Sequence, residues 1–278
     1  MAPARNLLFA SDLSARCDRA LARALLLKQQ LSADLLILHV PAARPLSTEQ
    51  EASVRTWIRD ELGPDGEDVE LLVEYGSVPS TVARVADVRG SSLVITGVAR
   101  LNSPRDYMLG TAVDYLVRQS FCPVLVVKKR VRGPYQRLLV ATDFSEHSRA
   151  ALLVASHLFP DAKLKLINTY HAAFEGFLDR ESTAPFIRSE HVAAMKKLLS
   201  DLPEELLGRL DWEVGEGDMM SVIFDQLRTW HPDLLVIGSH GASGFTQATV
   251  GSKAAELLTY APSDVLVVRP RPGTTATV

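Results

Sequence analysis

Three short groups of residues in this sequence combine types and spacing that can do chemistry. Asp143 closes the apolar run RLLVAT; Gly238 and Gly241 bracket Ser239 and His240; and Gly251-Ser252 follow after nine intervening residues. A phosphate chain is recognised by backbone N–H groups that come close to it, and glycine permits that approach because it has no Cβ. A helix beginning at Ser252 adds unpaired N–H groups and a partial positive charge. The Ser252 hydroxyl can donate to a terminal phosphate. Asp143, an acceptor-only carboxylate at neutral pH, suits a ribose hydroxyl or, through water, a divalent metal.

Other chemistries fit less well. Gly251-Ser252-Lys253 has the wrong order for a Walker loop, and Gly244 lies too far upstream. No GxSxG nucleophile elbow occurs. Asp143, Ser145 and His147 fall within five residues of one another, so Ser145 reads as a helix cap, not as part of a triad. None of the seven histidines has metal-ligand spacing, and no metal site built from protein side chains is expected. His39 reads as a hydrogen-bonded structural residue, and His240 as a backbone contact to phosphate.

The chain supplies the elements that position these groups twice. NLLFASD (6–12) matches RLLVATD (137–143), SSLVITG (91–97) matches PDLLVIG (232–238), and PVLVV (123–127) matches DVLVV (264–268). Asp12 to Asp143 is a shift of 131 residues, whereas Gly76 to Gly217, Gly97 to Gly238 and Gly110 to Gly251 are each shifted by 141. One net insertion of ten residues, between the second and third strands of the second half, reconciles the offsets.

Strands are expected at 6–11, 35–40, 69–75, 93–97 and 124–128, and again at 137–142, 163–169, 211–215, 234–238 and 265–269. Their near-continuous Leu, Val and Ile runs are those of strands buried on both faces. Helical patterns span 14–31, which Ser14 can cap, and 47–62, which opens with Ser47 and Gln50 at capping-box spacing. The alternation predicts an α/β protein of two Rossmann-like or flavodoxin-like domains, each a five-stranded parallel sheet with helices on both faces. The domains are expected at 1–131 and 132–278. The insertion around 170–190 carries Phe174, Phe177 and Phe186. It reads equally well as a hydrophobic loop packed on its own domain and as a lid or contact surface. The tail from Pro270 lacks apolar periodicity and is expected to be mobile.

A strand-end Asp, then G-x-x-G, nine residues and G-S, then a last strand in Val-Leu-Val-Val, resembles the universal stress protein family, its ATP-binding branch in particular. The resemblance spans nearly the whole chain. It implies adenosine contacts at Ala141, Thr142, Asp143, Thr169 and Ile237, and phosphate contacts at Gly238, His240, Gly241, Gly251, Ser252 and Lys253. It also implies ATP as ligand, accompanied by Mg²⁺. In the first half the corresponding positions are Asp12, Val40, Gly97, Arg100, Gly110 and Thr111. There Arg100 replaces the second glycine and puts a Cβ where backbone should meet phosphate, so this site reads as lost or weakened. Arg100 and Arg105 can instead clamp a phosphate by charge.

Single-domain members of the family pair through their last strands. An intramolecular pairing of strand 124–128 with strand 265–269 is therefore expected, and a homodimer remains open. By resemblance the protein is a nucleotide-responsive stress factor, at most a weak ATPase. The alternative is a scaffold of duplicated domains that binds no nucleotide. An adenylating or pyrophosphatase-type enzyme would need an SGGxDS-like loop after its first strand, and ATDFSEHS is not one.

Composition narrows the setting. With 278 residues, 47% hydrophobic and 23% charged, the chain has material for two cores. A net charge of −3 points to neither nucleic acid nor membrane as partner. Cys17 and Cys122 form no CxxC or zinc spacing, the apolar run before Asp12 is too short for a signal peptide, and a cytoplasmic location is expected.

Overall fold

Successive residues of a strand point to opposite faces of its sheet, so a strand in which neighbours are all buried must be covered on both sides. Leu93, Val94 and Ile95 are each fully buried, as are Leu138, Leu139 and Val140, and Leu234, Leu235 and Val236. The computed structural model, which describes residues 6–41, 47–66, 68–98, 111–171, 180–239 and 251–271, accounts for that burial. The chain forms two compact units, Met1–Pro134 and Tyr135–Val278.

In unit 1 the elements run β1 (Asn6–Ser11), α1 (Asp18–Leu31), β2 (Asp34–His39), α2 (Thr48–Leu62), β3 (Val69–Val73), α3 (Val78–Val88), β4 (Leu93–Gly97), α4 (Thr111–Gln119) and β5 (Val124–Val127). Unit 2 follows with β6 (Arg137–Ala141), α5 (Glu146–Leu158), β7 (Lys163–Tyr170), α6 (Arg180–Ser200), α7 (Glu204–Leu207), β8 (Leu210–Glu216), α8 (Met219–Thr229), β9 (Leu234–Gly238), α9 (Ser252–Tyr260) and β10 (Asp264–Val268).

Within unit 1 the strand order is β3-β2-β1-β4-β5, and within unit 2 it is β8-β7-β6-β9-β10. All pairings within each unit are parallel. Each unit is thus a doubly wound α/β domain with a five-stranded parallel sheet and helices on both faces. The strand order reverses beside β1 and beside β6, and ligands in such sheets bind in the crevice opened there, outside the carboxyl ends.

Local chemistry explains where the helices begin. At α2 the capping box forms as the spacing requires: Gln50 N–H donates to Ser47 Oγ at 3.3 Å, and Ser47 N–H donates to Gln50 Oε1 at 2.9 Å. Ser14, by contrast, caps nothing. A 3₁₀ turn, Ala15–Cys17, intervenes before α1, and the Ser14 hydroxyl donates to Asp12 Oδ1 at 2.6 Å instead. The inserted segment of unit 2 is not all loop, because α6 begins at Arg180 and runs through Pro185. Phe186 stands on that helix and is 65% exposed, while Phe174 and Phe177 lie outside the described residues. Arg209 anchors the far end of α5. Its guanidinium donates to the carbonyls of Ser156 at 2.7 Å, Phe159 at 3.0 Å and Ala162 at 2.8 Å.

Candidate nucleotide site in unit 2

The turn after β6 is tied down by short-range bonds. Thr142 N–H donates to Ile167 O at 2.9 Å, continuing the β6–β7 ladder for one more step. The Thr142 hydroxyl shares a 3.0 Å bond with Ser148 Oγ and accepts from Phe144 N–H at 3.0 Å. Asp143 Oδ1 accepts from Ser145 N–H at 3.1 Å and from the Ser145 hydroxyl at 2.5 Å, an Asx turn. Ser145 caps α5, its Oγ accepting from Ser148 N–H at 3.3 Å. Phe144 pays for this compact geometry with a left-handed backbone, φ 64°, and Leu13 at the matching place in unit 1 has φ 59°. The outcome is a carboxylate held at the mouth of the sheet yet exposed to solvent.

Across the crevice, β9 ends in Gly238. A Cβ there would lie 2.9 Å from the carbonyl carbon of His147, so glycine is what lets the first turn of α5 press against the strand end. Ser239, fully buried, continues the ladder through N–H to Val268 O at 2.9 Å. Its carbonyl accepts from Gly251 N–H at 3.1 Å, which brings the N-cap of α9 beside the end of β9.

A cavity of about 320 Å³ opens between these pieces, large enough for a small-molecule ligand. Ile167, Ile237, Met219, Ile223 and Leu257 give it an apolar lining, and Asp143, Ser148, Asn168, Thr169, Ser252 and Lys253 give it polar groups. Such a lining fits a flat heterocycle carrying a sugar, with its anionic end at the start of α9. Lys253 Nζ lies 3.7 Å from Asp218 Oδ1 and 3.5 Å from Glu256 Oε2. The Asp218 carboxyl is held below its ordinary pKa, first by the N–H of Ser221, with Lys253 and the N–H of Met220 acting in the same sense. Burial holds His147 below the ordinary imidazole value; Asp143 and Glu146 oppose this and Arg269 adds to it.

Of the positions singled out from sequence, Ala141, Thr142, Asp143, Thr169, Ile237, Gly238, Gly251, Ser252 and Lys253 all line this one cavity. His240 and Gly241 lie outside the described residues. In unit 1, Asp12, Val40 and Gly97 stand at the carboxyl ends of β1, β2 and β4, and Thr111 opens α4. Arg100 and Gly110 lie outside the described residues. His39 Nδ1 is 3.0 Å from Ser11 O, a structural bond.

Sequence reasoning missed Ser148, Ile167, Asn168, Met219, Ile223, Ala254 and Leu257, which also line the cavity. Met219 and Ile223 had a signal available: they sit four apart at the start of the helix after β8, hence on one face. Among the described residues no group of three or more His, Cys, Asp or Glu side chains is placed to hold a metal ion.

Fold and cleft together define a tandem of doubly wound α/β domains, with a crevice in unit 2 at the strand-order reversal. The sequence pattern of the universal stress protein family matches residues 3–128 and again 134–269. Universal stress protein E of Photorhabdus laumondii is 22% identical over 223 residues, covering 74% of this chain and 70% of that protein. A universal stress protein of Mycolicibacterium smegmatis is 23% identical over 221 residues, covering 74% and 72%. Among solved structures, a functionally unknown protein of Pseudomonas aeruginosa superposes with a TM-score of 0.72 at 21% identity, over 96% of this chain and 93% of that one. A universal stress protein of Archaeoglobus fulgidus gives 0.68 at 16% identity, over 96% and 98%. The chain belongs to the universal stress protein family, and carries its domain twice.

Proposed function

We propose that unit 2 binds ATP, accompanied by Mg²⁺, and that the protein acts as a nucleotide-responsive stress factor with slow or no hydrolysis. One observation carries the reading. Residues from the carboxyl ends of β6, β7 and β9 and from the N-terminus of α9, chosen from the sequence for adenosine and phosphate, meet around one cavity of about 320 Å³. The apolar lining takes the base, Asp143 the ribose or a water-bound metal ion, and the α9 N-terminus with Ser252 and Lys253 the phosphates. Unit 1, with Arg100 at the place of the second loop glycine, is chiefly structural in this reading. The setting is the cytoplasm, which suits two cysteines that form no disulfide.

Calorimetric titration of the full chain with Mg-ATP, together with mass spectrometry of small molecules released from the purified protein, tests this. One tight site per chain is expected. Two equivalent sites would show that Arg100 substitutes for glycine. An absence of both heat and bound nucleotide would leave a duplicated scaffold as the function.

A further inference from the structure

The carbonyl of Thr142 belongs to the peptide that leads into Asp143, and a buried side chain holds it. Asn168, 4% exposed, donates from Nδ2 to this oxygen at 2.8 Å. A carbonyl has no proton to give, so the amide nitrogen must face it and the amide oxygen must face away. That oxygen points to α6, where His191 Nδ1 lies 2.7 Å from Oδ1. His191 is therefore the donor through Nδ1. Its ring packs against Tyr170 at 5.6 Å between centroids and against the left-handed Phe144 at 6.1 Å.

Unit 1 performs the same task differently. There the peptide before Asp12 presents Ser11 O, and His39 Nδ1 meets it at 3.0 Å. The registers make His39 and Asn168 counterparts, since Ala10 pairs with Leu38 and Ala141 with Ile167, each one residue earlier. In unit 1 one imidazole from the sheet suffices. In unit 2 the sheet offers the shorter asparagine, and an imidazole from α6 completes the bond.

We propose that His191 is a positioning residue of the unit 2 site: it orients Asn168, which fixes the Thr142–Asp143 peptide, and so ties α6 to the cavity. Without a donor at 191, Asn168 Oδ1 loses this bond in a buried place, and the amide has reason to rotate and release Thr142 O. Because coupling between sites is reciprocal, a ligand resting on Asp143 and Asn168 in turn steadies α6. The ligand part of this inference rests on the nucleotide reading above; the positioning part does not.

Two substitutions in the full chain separate donor from ring. His191→Phe keeps an aromatic ring against Tyr170 and Phe144 but removes the N–H. His191→Asn loses the ring but can present an amide N–H near the position of Nδ1. Without nucleotide, amide hydrogen exchange at 143–145 is expected to rise about three- to tenfold in His191→Phe and to stay near wild type in His191→Asn. With Mg-ATP, the dissociation constant should rise about three- to tenfold for His191→Phe and less than about twofold for His191→Asn. Unchanged exchange in His191→Phe, or equal loosening in both variants, overturns the positioning role whether or not ATP binds. If wild type gives no ATP heat while the exchange pattern holds, the nucleotide reading fails and the positioning role stands.

Discussion

Replacing Gly238 with alanine probes how tightly the two walls of the crevice are set. The new Cβ would stand 2.9 Å from the His147 carbonyl carbon and 3.1 Å from both His147 O and its Cβ. Two of these are backbone atoms in the first turn of α5 and the third is a Cβ whose place the backbone fixes, so no side-chain rotation relieves the contact. Strand end and helix must separate by several tenths of an ångström, and overpacking of that kind costs about 1–3 kcal/mol. For a domain of this size that lowers the melting temperature of unit 2 by roughly 3–12 °C. The displaced turn also carries Ser145, which holds Asp143, so Mg-ATP affinity should fall along with stability. Gly208→Ala is the control: its φ is −62°, its nearest neighbour would be 3.7 Å away, and it should be neutral or slightly stabilising. Differential scanning calorimetry of the full chain reads both. A Gly238→Ala midpoint within about 1 °C of wild type would refute the close-approach argument.

Gly241→Val should weaken Mg-ATP binding by about two to four orders of magnitude without changing the melting of the ligand-free protein, and Ser252→Ala should cost less; a full ligand-induced melting shift in Gly241→Val would rule out the loop as the phosphate site. Arg209→Ala removes bonds to three carbonyls at the end of α5 and should destabilise unit 2 by about 2–3 kcal/mol in urea unfolding. His147 has a folded-state pKa below its ordinary value of 6.5, so the unfolded chain binds the proton more readily. Stability is then lost as pH falls from above that ordinary value through the folded one and levels off below it. His147→Gln should flatten this part of a chemical-denaturation profile, and an unaltered slope would dismiss the assignment.

The sheets were legible in sequence because their central strands are buried on both faces and read as unbroken apolar runs. β4 and β9 end at Gly97 and Gly238, where those runs stop. Helix starts were legible at Ser47 and Ser145 and misread at Ser14. Ser47 and Gln50 satisfy each other, but Ser14 resembles Ser145 and behaves differently. Both hydroxyls donate to the preceding aspartate; Ser145 also receives the N–H of Ser148, whereas the N–H of Cys17 goes to the Ser14 carbonyl at 2.8 Å and closes a 3₁₀ turn. The helix α6 was hidden because Pro185 looks like a break and the segment carries no clear apolar stripe. Asn168 and His191, 23 residues apart, left no trace because their pairing depends on where α6 packs. The glycine positions lining the cavity were readable from spacing; of its apolar wall, Met219 and Ile223 of α8 left only their four-residue spacing as a trace, and Leu257 of α9 left none.

The left-handed residues Leu13 and Phe144 separate what duplication preserved from what drift was allowed to change. The two halves differ at the second loop glycine, where the first has Arg100 and the second Gly241. They agree in a backbone conformation that costs a bulky residue about 1–2 kcal/mol. A strained turn shared by a half with the glycine and a half without it goes with the junction of strand and helix that both halves contain. The carboxylate mount is thus common to the two halves, and the second loop glycine is not. Exchanging Arg100 for glycine would therefore change the loop sequence of unit 1 and leave Asp12 and Leu13 as they are.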